Sequence, residues 1–290
     1  MRSELARAYA HCTALARGHY ENFPVASLLL PQAVRPHIAA VYAFARTADD
    51  MADEGKAAAD LRLRRLHEWR EQLSSCRVRK SPDPVFIALA DTLDRYSIPD
   101  QLFHDLLDAF EQDVTTTAYD TFEDLLFYCR RSANPVGRIL LFIFGVSDPT
   151  ALEGSDYLCT GLQLANFWQD VSVDRRKPRV YIPKEDMERF GVRRADLDAE
   201  VANSSVRALV RFEVERTRKY FTAALGLLPR LPFRFRVEIR AIWEGGMRIL
   251  SIIEKNECDV VGSRPALKTH DILAIVFRMI FHPTRSIGHA

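Results

Sequence analysis

The chain has no surplus of charge of either sign. Forty basic against thirty-nine acidic residues leave a formal net charge of +1, so the polyelectrolyte signature of a nucleic-acid-binding protein is missing and any anion recognition must be local. Ordered cysteine patterns are missing too. Cys12, Cys76, Cys129, Cys159 and Cys258 are odd in number and scattered, with no C-x-x-C pair and no alternation with histidine, which fits a reduced cytosol and not a zinc site. The N-terminal segment carries charges throughout and lacks the apolar core of a signal peptide, so secretion is not expected. The longest apolar run, Ile272 to Phe281, is too short to span a bilayer and contains Arg278. It is the expected place for peripheral contact with a membrane surface. No run alternates apolar and polar residues between hairpin turns, and no G-x-G-x-x-G follows a strand. Strands and a Rossmann nicotinamide site are therefore not indicated.

What is present is helical periodicity. Hydrophobic residues make up 48% and charged residues 27% of the 290, ordinary values for a protein that buries a substantial core. No linker, repeat or low-complexity tract divides residues 1–290, so one large helical domain is expected. Between Arg35 and Glu54, Ile38, Val41, Tyr42, Ala45 and Ala48 recur at steps of three and four. The same period predicts helices over Asp60–Leu73, Val85–Tyr96, Gln101–Gln112, Thr121–Arg131, Pro135–Phe144, Tyr157–Val173, Ser205–Leu228, Arg234–Lys255 and His270–Phe281. Proline-containing breaks separate them, among them Pro82-Asp83-Pro84, Ser147-Asp148-Pro149 and Gly262 to Pro265. The expectation is an all-α, bundle-like domain, a class that places metal and cofactor sites between facing helices.

Two acidic clusters stand out. Asp49, Asp50 and Asp53 close the first periodic run; Asp170 and Asp174 follow Gln163 and Asn166 in another. Four residues is slightly more than one helical turn, so Asp49 and Asp53 project from one helix face, and Asn166, Asp170 and Asp174 from another. The two faces are expected to oppose each other across a cavity. Carboxylates so clustered repel one another unless a cation neutralises them. Hard oxygen ligands without histidine or cysteine favour magnesium, which keeps waters and takes remaining ligands from substrate phosphates. The competing reading for each cluster is a solvated stripe on an amphipathic helix. Directly after the second cluster, Arg175-Arg176-Lys177-Pro178-Arg179-Val180-Tyr181 offers arginines suited to paired donation to phosphate oxygens, or simply a solvated charge run.

Three segments carry a resemblance. They are Tyr42-Ala43-Phe44-Ala45-Arg46 leading into Asp49, Asp50 and Asp53; Tyr128-Cys129 followed by Ala133 and Val136-Gly137; and Gln163, Asn166, Asp170 and Asp174 ending in Arg179-Val180-Tyr181-Ile182-Pro183. Together they resemble the squalene and phytoene synthase family, whose members join isoprenoid diphosphates head to head. The match runs in order from about His19 to the Ile249–Glu254 region. His19 to Ser27 and Tyr128 to Gly137 are similar to the hydroxysqualene synthases of bacterial hopanoid pathways. Phytoene and presqualene diphosphate synthases typically carry Ser-Phe where this chain has Asn22-Phe23. Eukaryotic squalene synthases carry arginine where it has Gln169, and their long C-terminal membrane helix is not expected here.

The resemblance implies the isoprenoid synthase helical fold with a central cavity. Two or three magnesium ions are implied on Asp49, Asp53, Asn166, Asp170 and Asp174, with His19, Phe23, Tyr42, Arg46, Gln163, Arg179 and Tyr181 binding substrate. Tyr128 positions or relays a proton near the reacting carbon, and Asp49, Asp53, Asp170 and Asp174 assist ionisation. The implied reaction converts presqualene diphosphate and water to hydroxysqualene and diphosphate, without NADPH. Phe23, Tyr42, Phe44, Tyr128, Leu140, Leu141 and Leu164 are candidate walls of the apolar channel. A cytoplasmic enzyme at the inner face of a membrane, working beside partner enzymes of the pathway, is expected. Two alternatives stay open: condensation of two farnesyl or geranylgeranyl diphosphates, and a non-catalytic assembly factor of the same fold.

Overall fold

The computed structural model describes residues 2–18, 30–53, 57–78, 81–174 and 179–281. Among these there is no strand; the only β-type pairing is a single parallel bridge between Ala118 and Val180. The chain forms two compact units, one from Met1–Thr115, Pro135–Asp148 and Pro232–Phe235, the other from Thr116–Asn134, Pro149–Leu231 and Arg236–Ala290.

The first unit holds α1 (Arg2–Gly18), α2 (Arg35–Asp53), α3 (Ala59–Ser75), α4 (Pro84–Tyr96), α5 (Gln101–Thr115) and most of α7 (Asn134–Ile143), which follows α6 (Phe122–Ser132). Asp83 caps α4 by accepting the Val85 N–H at 2.8 Å, with Pro84 at the first helical position, where its missing donor costs nothing. Its far end stops at Ser97, in the left-handed region at φ 51°. The core is aromatic. Phe44 of α2 stacks on Trp69 of α3 at 5.8 Å and meets Phe103 of α5 edge-on at 5.3 Å, while Trp69 lies 4.4 Å from Phe86 of α4. Burying such rings contributes the largest apolar areas available to single side chains. One polar knot is set among them. The Tyr9 hydroxyl donates to Asp91 at 2.6 Å and lies 2.9 Å from His37 Nδ1 and 3.1 Å from Thr92 Oγ1, so α1, α2 and α4 meet in one defined register. Burial holds the His37 imidazole below its usual pKa and therefore neutral.

The second unit contains α6, α8 (Pro149–Gln169), α9 (Val171–Asp174), α10 (Lys184–Arg189), α11 (Arg194–Leu197), α12 (Ser204–Ala223), α13 (Phe233–Lys255, from Arg236 onward) and α14 (Thr269–Phe281). A capping box at Thr121 and Asp124 starts α6. Close packing in this unit depends on glycine: a Cβ at Gly246 of α13 would lie 2.5 Å from the Phe221 ring of α12, and one at Gly154 of α8 would lie 3.0 Å from Leu227, just beyond α12. Two indoles tie the layers by hydrogen bonds at 2.8 Å, Trp168 Nε1 to Thr217 Oγ1 and Trp243 Nε1 to the Phe221 carbonyl.

Three boundaries differ from the periodic runs. The run predicted from Tyr157 begins eight residues earlier, at Pro149, a residue suited to a first helical turn. It also breaks at Asp170, so the second acidic stripe spans two helices, α8 and α9, and not one. The run predicted to end at Leu228 leaves α geometry after Ala223 and continues as a 3₁₀ helix through Ala224–Arg230, where Gly226 and Pro229 disfavour an α-helix. Three helices, α1, α10 and α11, were not among the predicted runs.

Candidate functional site

The first acidic stripe finishes α2. Ala39, Ala40, Ala43, Phe44, Ala48 and Ala52 form the buried face of that helix, leaving Asp49 and Asp50 half-buried and Asp53 exposed. All three acids fall in the last turns, where the carbonyl end of the helix already carries partial negative charge, and no basic residue lies in the last turn. Among the described residues a compensating charge comes from Arg46. It donates from Nη1 to Asp49 at 3.2 Å and from Nη2 to Asp50 at 2.6 Å. Burial pushes the neighbouring Tyr42 phenol up, with Asp50 and Asp49 adding to the shift and Arg46 opposing it. Asp49, Asp53, Arg46 and Tyr42 are thus gathered at one end of one helix.

The second stripe lies in the other unit. Leu164, Ala165, Phe167 and Trp168 are buried along α8, while Gln163 is half-buried and Asn166 exposed. The bend at Asp170 does not destroy the stripe. Asp170 N–H donates to the Asn166 carbonyl at 2.9 Å and Asp174 N–H to the Asp170 carbonyl at 2.8 Å, so the four-residue step survives into α9. Two bonds from a distant strap act here. Arg264 Nε donates to Asp170 Oδ1 at 2.5 Å, and Gln169 Nε2 donates to the Pro265 carbonyl at 2.6 Å. Sequence reasoning passed over Arg264, because it sits in a segment read only as a turn and no spacing connects it to the acids.

Beyond the acids the chain returns at Arg179. Its Nη1 donates to the Tyr181 hydroxyl at 2.8 Å, and the Tyr181 ring stacks on Phe167 at 3.9 Å with 11° between planes. Tyr128, 4% exposed, completes an aromatic group with Tyr119 at 5.6 Å, Tyr181 at 6.1 Å and Phe167 at 6.2 Å. A shallow, open hollow adjoins this group, lined by Asp174, Arg179, Tyr181, Phe167 and, unforeseen in the sequence, Arg194. Three residues predicted for metal or diphosphate therefore share one hollow. Phe44 and Leu164 are 0% exposed; both are core and not channel walls. His19, Phe23 and the loop 175–178 lie outside the described residues.

The donors suit magnesium in a particular way. Every candidate ligand is a carboxylate or amide oxygen, as a hard cation requires. Among the described residues, no three His, Cys, Asp or Glu side chains converge as a ready ligand set, and Asp49 and Asp170 already rest on guanidinium groups. Such acids fit an ion that brings its own waters and phosphate oxygens, and fit poorly an ion held permanently by protein alone.

Comparison with known proteins places this arrangement. The squalene/phytoene synthase family model matches residues 16–271. The chain is 31% identical over 279 residues to the 15-cis-phytoene synthase of Synechococcus elongatus, covering 92% of this chain and 90% of the relative. It is 36% identical over 214 residues to the hydroxysqualene synthase of Zymomonas mobilis, covering 72% and 71%. Among solved structures, squalene synthase HpnC from Alicyclobacillus acidocaldarius aligns with a TM-score of 0.83 and 37% identity over 88% of this chain and 96% of that one. A dehydrosqualene synthase, 24% identical, aligns with a TM-score of 0.85 over 96% and 97%. The all-α architecture is the helical fold of the isoprenoid synthases, and the chain belongs to the squalene/phytoene synthase family.

Proposed function

We propose that this protein is a hydroxysqualene synthase, which converts presqualene diphosphate and water to hydroxysqualene and diphosphate. The observation that carries this reading is the hollow where Asp174, Arg179 and Tyr181 meet beside a buried aromatic group. It combines the two environments that the reaction needs, one for a departing polyanion and one for a carbocation. Asp49 and Asp53 on one stripe, and Asn166, Asp170 and Asp174 on the other, are the residues that would hold magnesium, which would supply neutralisation of the charge that develops on the leaving diphosphate.

The chain's own groups do the rest. Arg179, held in place through Tyr181, donates paired N–H bonds to phosphate oxygens. Arg46, Gln163, His19 and Tyr42 are further candidates for binding substrate through polar groups, and Phe23 through an apolar one. Once the C–O bond breaks, the cation lies against ring faces, whose negative quadrupoles attract it, and the excluded bulk water cannot quench it at random. Tyr128 positions the single water that attacks or relays its proton, its hydroxyl passing one proton on as it accepts another, so that the proton ends on the departing diphosphate; the water's oxygen forms the new C–O bond, and no nicotinamide hydride is consumed.

A second reading keeps the fold and changes the substrate. The 15-cis-phytoene synthase relative matches over 92% of the chain, which supports condensation of two prenyl diphosphates as the alternative. The test is to incubate purified protein and magnesium, without NADPH, with presqualene, farnesyl or geranylgeranyl diphosphate in turn and identify products by mass spectrometry. Hydroxysqualene from presqualene diphosphate alone is the expected result. Phytoene from geranylgeranyl diphosphate, or presqualene diphosphate from farnesyl diphosphate, would replace the proposed reaction with a condensation.

A further inference from the structure

Helix α14 is apolar on two sides, one of them buried and the other largely exposed. Ile275 faces the protein at 9% exposure. The helix is fastened along that side by polar bonds to α13. Arg248 Nε donates to Asp271 Oδ1 at 2.6 Å, Arg240 Nη2 donates to the Arg278 carbonyl at 3.3 Å, and Arg278 pairs with Glu244 at 3.4 Å. Asp271 also accepts the Lys268 N–H at 2.8 Å, which caps the first turn. On the opposite side Ile272, Leu273, Val276 and Phe277 are 53%, 65%, 47% and 56% exposed. At about 100° per residue these four occupy a continuous arc of about 140°, and Leu267, 38% exposed, precedes them in the lead-in to the helix. Four large apolar side chains presented together by a firmly anchored helix are unlike the scattered single exposures normal on a protein surface.

The charges around this arc have one sign. Between Gly262 and Met279 the only acid is Asp271, whose side chain is 2% exposed and neutralised by Arg248. The exposed ionisable groups of the segment are Arg264, Lys268, His270 and Arg278. Among the described residues no helix is long and apolar enough to cross a membrane. An amphipathic helix with an apolar face and a basic margin suits burial at the headgroup boundary of a bilayer.

A second copy of this chain suits it less well. A helix of this length offers a stripe of about 200 Å², from a length of about 20 Å and a width of about 10 Å, against the about 800 Å² per partner of a stable interface. Antiparallel self-pairing would also set Lys268 of one copy against Arg278 of the other.

We infer that the Ile272–Leu273–Val276–Phe277 face of α14 is the element by which this protein docks on an anionic lipid surface, with Lys268 and Arg278 attracting the headgroups. The inference rests on exposure and charge alone and does not depend on which prenyl diphosphate is the substrate.

The test is co-sedimentation of the full chain with vesicles of phosphatidylcholine mixed with phosphatidylglycerol, and with vesicles of phosphatidylcholine alone. The wild type is expected to partition onto the mixed vesicles about tenfold more strongly than onto the neutral ones, with binding weakened by salt. Leu273→Glu/Phe277→Glu is expected to lower binding to mixed vesicles by about tenfold or more, with helical circular dichroism and turnover of detergent-dispersed substrate unchanged. Lys268→Glu, which keeps the apolar face, is expected to weaken binding to mixed vesicles only. Wild-type retention by the double variant, or absence of wild-type binding to either vesicle, overturns the inference. So does a wild-type dimer in light scattering that the double variant splits, since the face would then be a self-interface.

Discussion

On α2, Asp49 and Asp50 close on Arg46, a cation supplied by the same helix three and four residues earlier. At the end of α8, Asp170 closes on Arg264, which lies 94 residues further along the chain. Both stripes use the same four-residue step, yet among the described residues one meets a guanidinium of its own helix and the other a guanidinium brought by tertiary structure. The helices differ accordingly. α2 runs unbroken to Asp53, and its acids accumulate at an end where the helix dipole opposes them. The other stripe bends at Asp170 and resumes in α9, with a strap tied down by both Gln169 and Asp170. On the proposed reading, a metal carrying diphosphate would compete with a guanidinium at either place. At α2 that competition would be local, whereas at Asp170 it would bear on one of the two bonds that tie the strap.

The hardest way to break this comparison is to remove one carboxylate from each stripe. Asp49→Ala and Asp170→Ala are each expected to lower turnover by about a thousandfold, since each removes a group that stabilises charge mainly in the transition state. Far-ultraviolet circular dichroism should be unchanged in both. Near-wild-type activity in one of them would show that only the other stripe serves the reaction.

A smaller effect separates the two modes of neutralisation. Arg46→Ala and Arg264→Ala are each expected to cost less than about 1 kcal/mol of stability, because these ion pairs are partly solvated. Turnover should fall by about tenfold or more in Arg46→Ala, where two acids lose their partner, and by less in Arg264→Ala. Denaturant titration and steady-state kinetics read both. Equal kinetic losses would erase the distinction between local and tertiary neutralisation.

The smallest effect on turnover is expected from a third acidic group, buried where the stripes are open, whose influence is on stability. Glu213, 1% exposed, and Asp186, 4% exposed, share the single guanidinium of Arg216 at 2.7 and 2.5 Å. Burial pushes the Glu213 carboxyl up to about 8 from its ordinary value of 4.5. Between those two pH values the folded chain holds a proton that the unfolded chain has lost, so this group makes stability fall as pH rises through that window. Glu213→Gln is expected to flatten that slope in urea melts taken across it. An unchanged slope would mean that Glu213 is ionised in the folded protein.

The helices were legible because their apolar residues recur at steps of three and four. Ile38, Val41 and Ala48 of α2 are buried where that period places them, whereas Tyr42 and Ala45 of the same run are half-buried. The bend at Asp170 was not legible, because the four-residue step and its hydrogen bonds continue through it. α10 and α11, of 6 and 4 residues, are too short for an amphipathic period to register. The same limit applies to the site. Arg46 beside Asp49 and Asp50 follows from helix geometry, and Arg179 near Tyr181 follows from adjacency in the chain. Arg264 and Arg194 come to their places only through tertiary folding, and a single sequence carries no local signal for either.

The central claim is that both stripes hold magnesium together with a diphosphate group. It is tested most directly by calorimetric titration of inorganic diphosphate into wild type, Asp49→Ala and Asp170→Ala, each with and without magnesium. The account predicts binding by the wild type only when magnesium is present, and weakening by about tenfold or more in both variants. Diphosphate binding that is independent of magnesium, or undiminished in either variant, would contradict it.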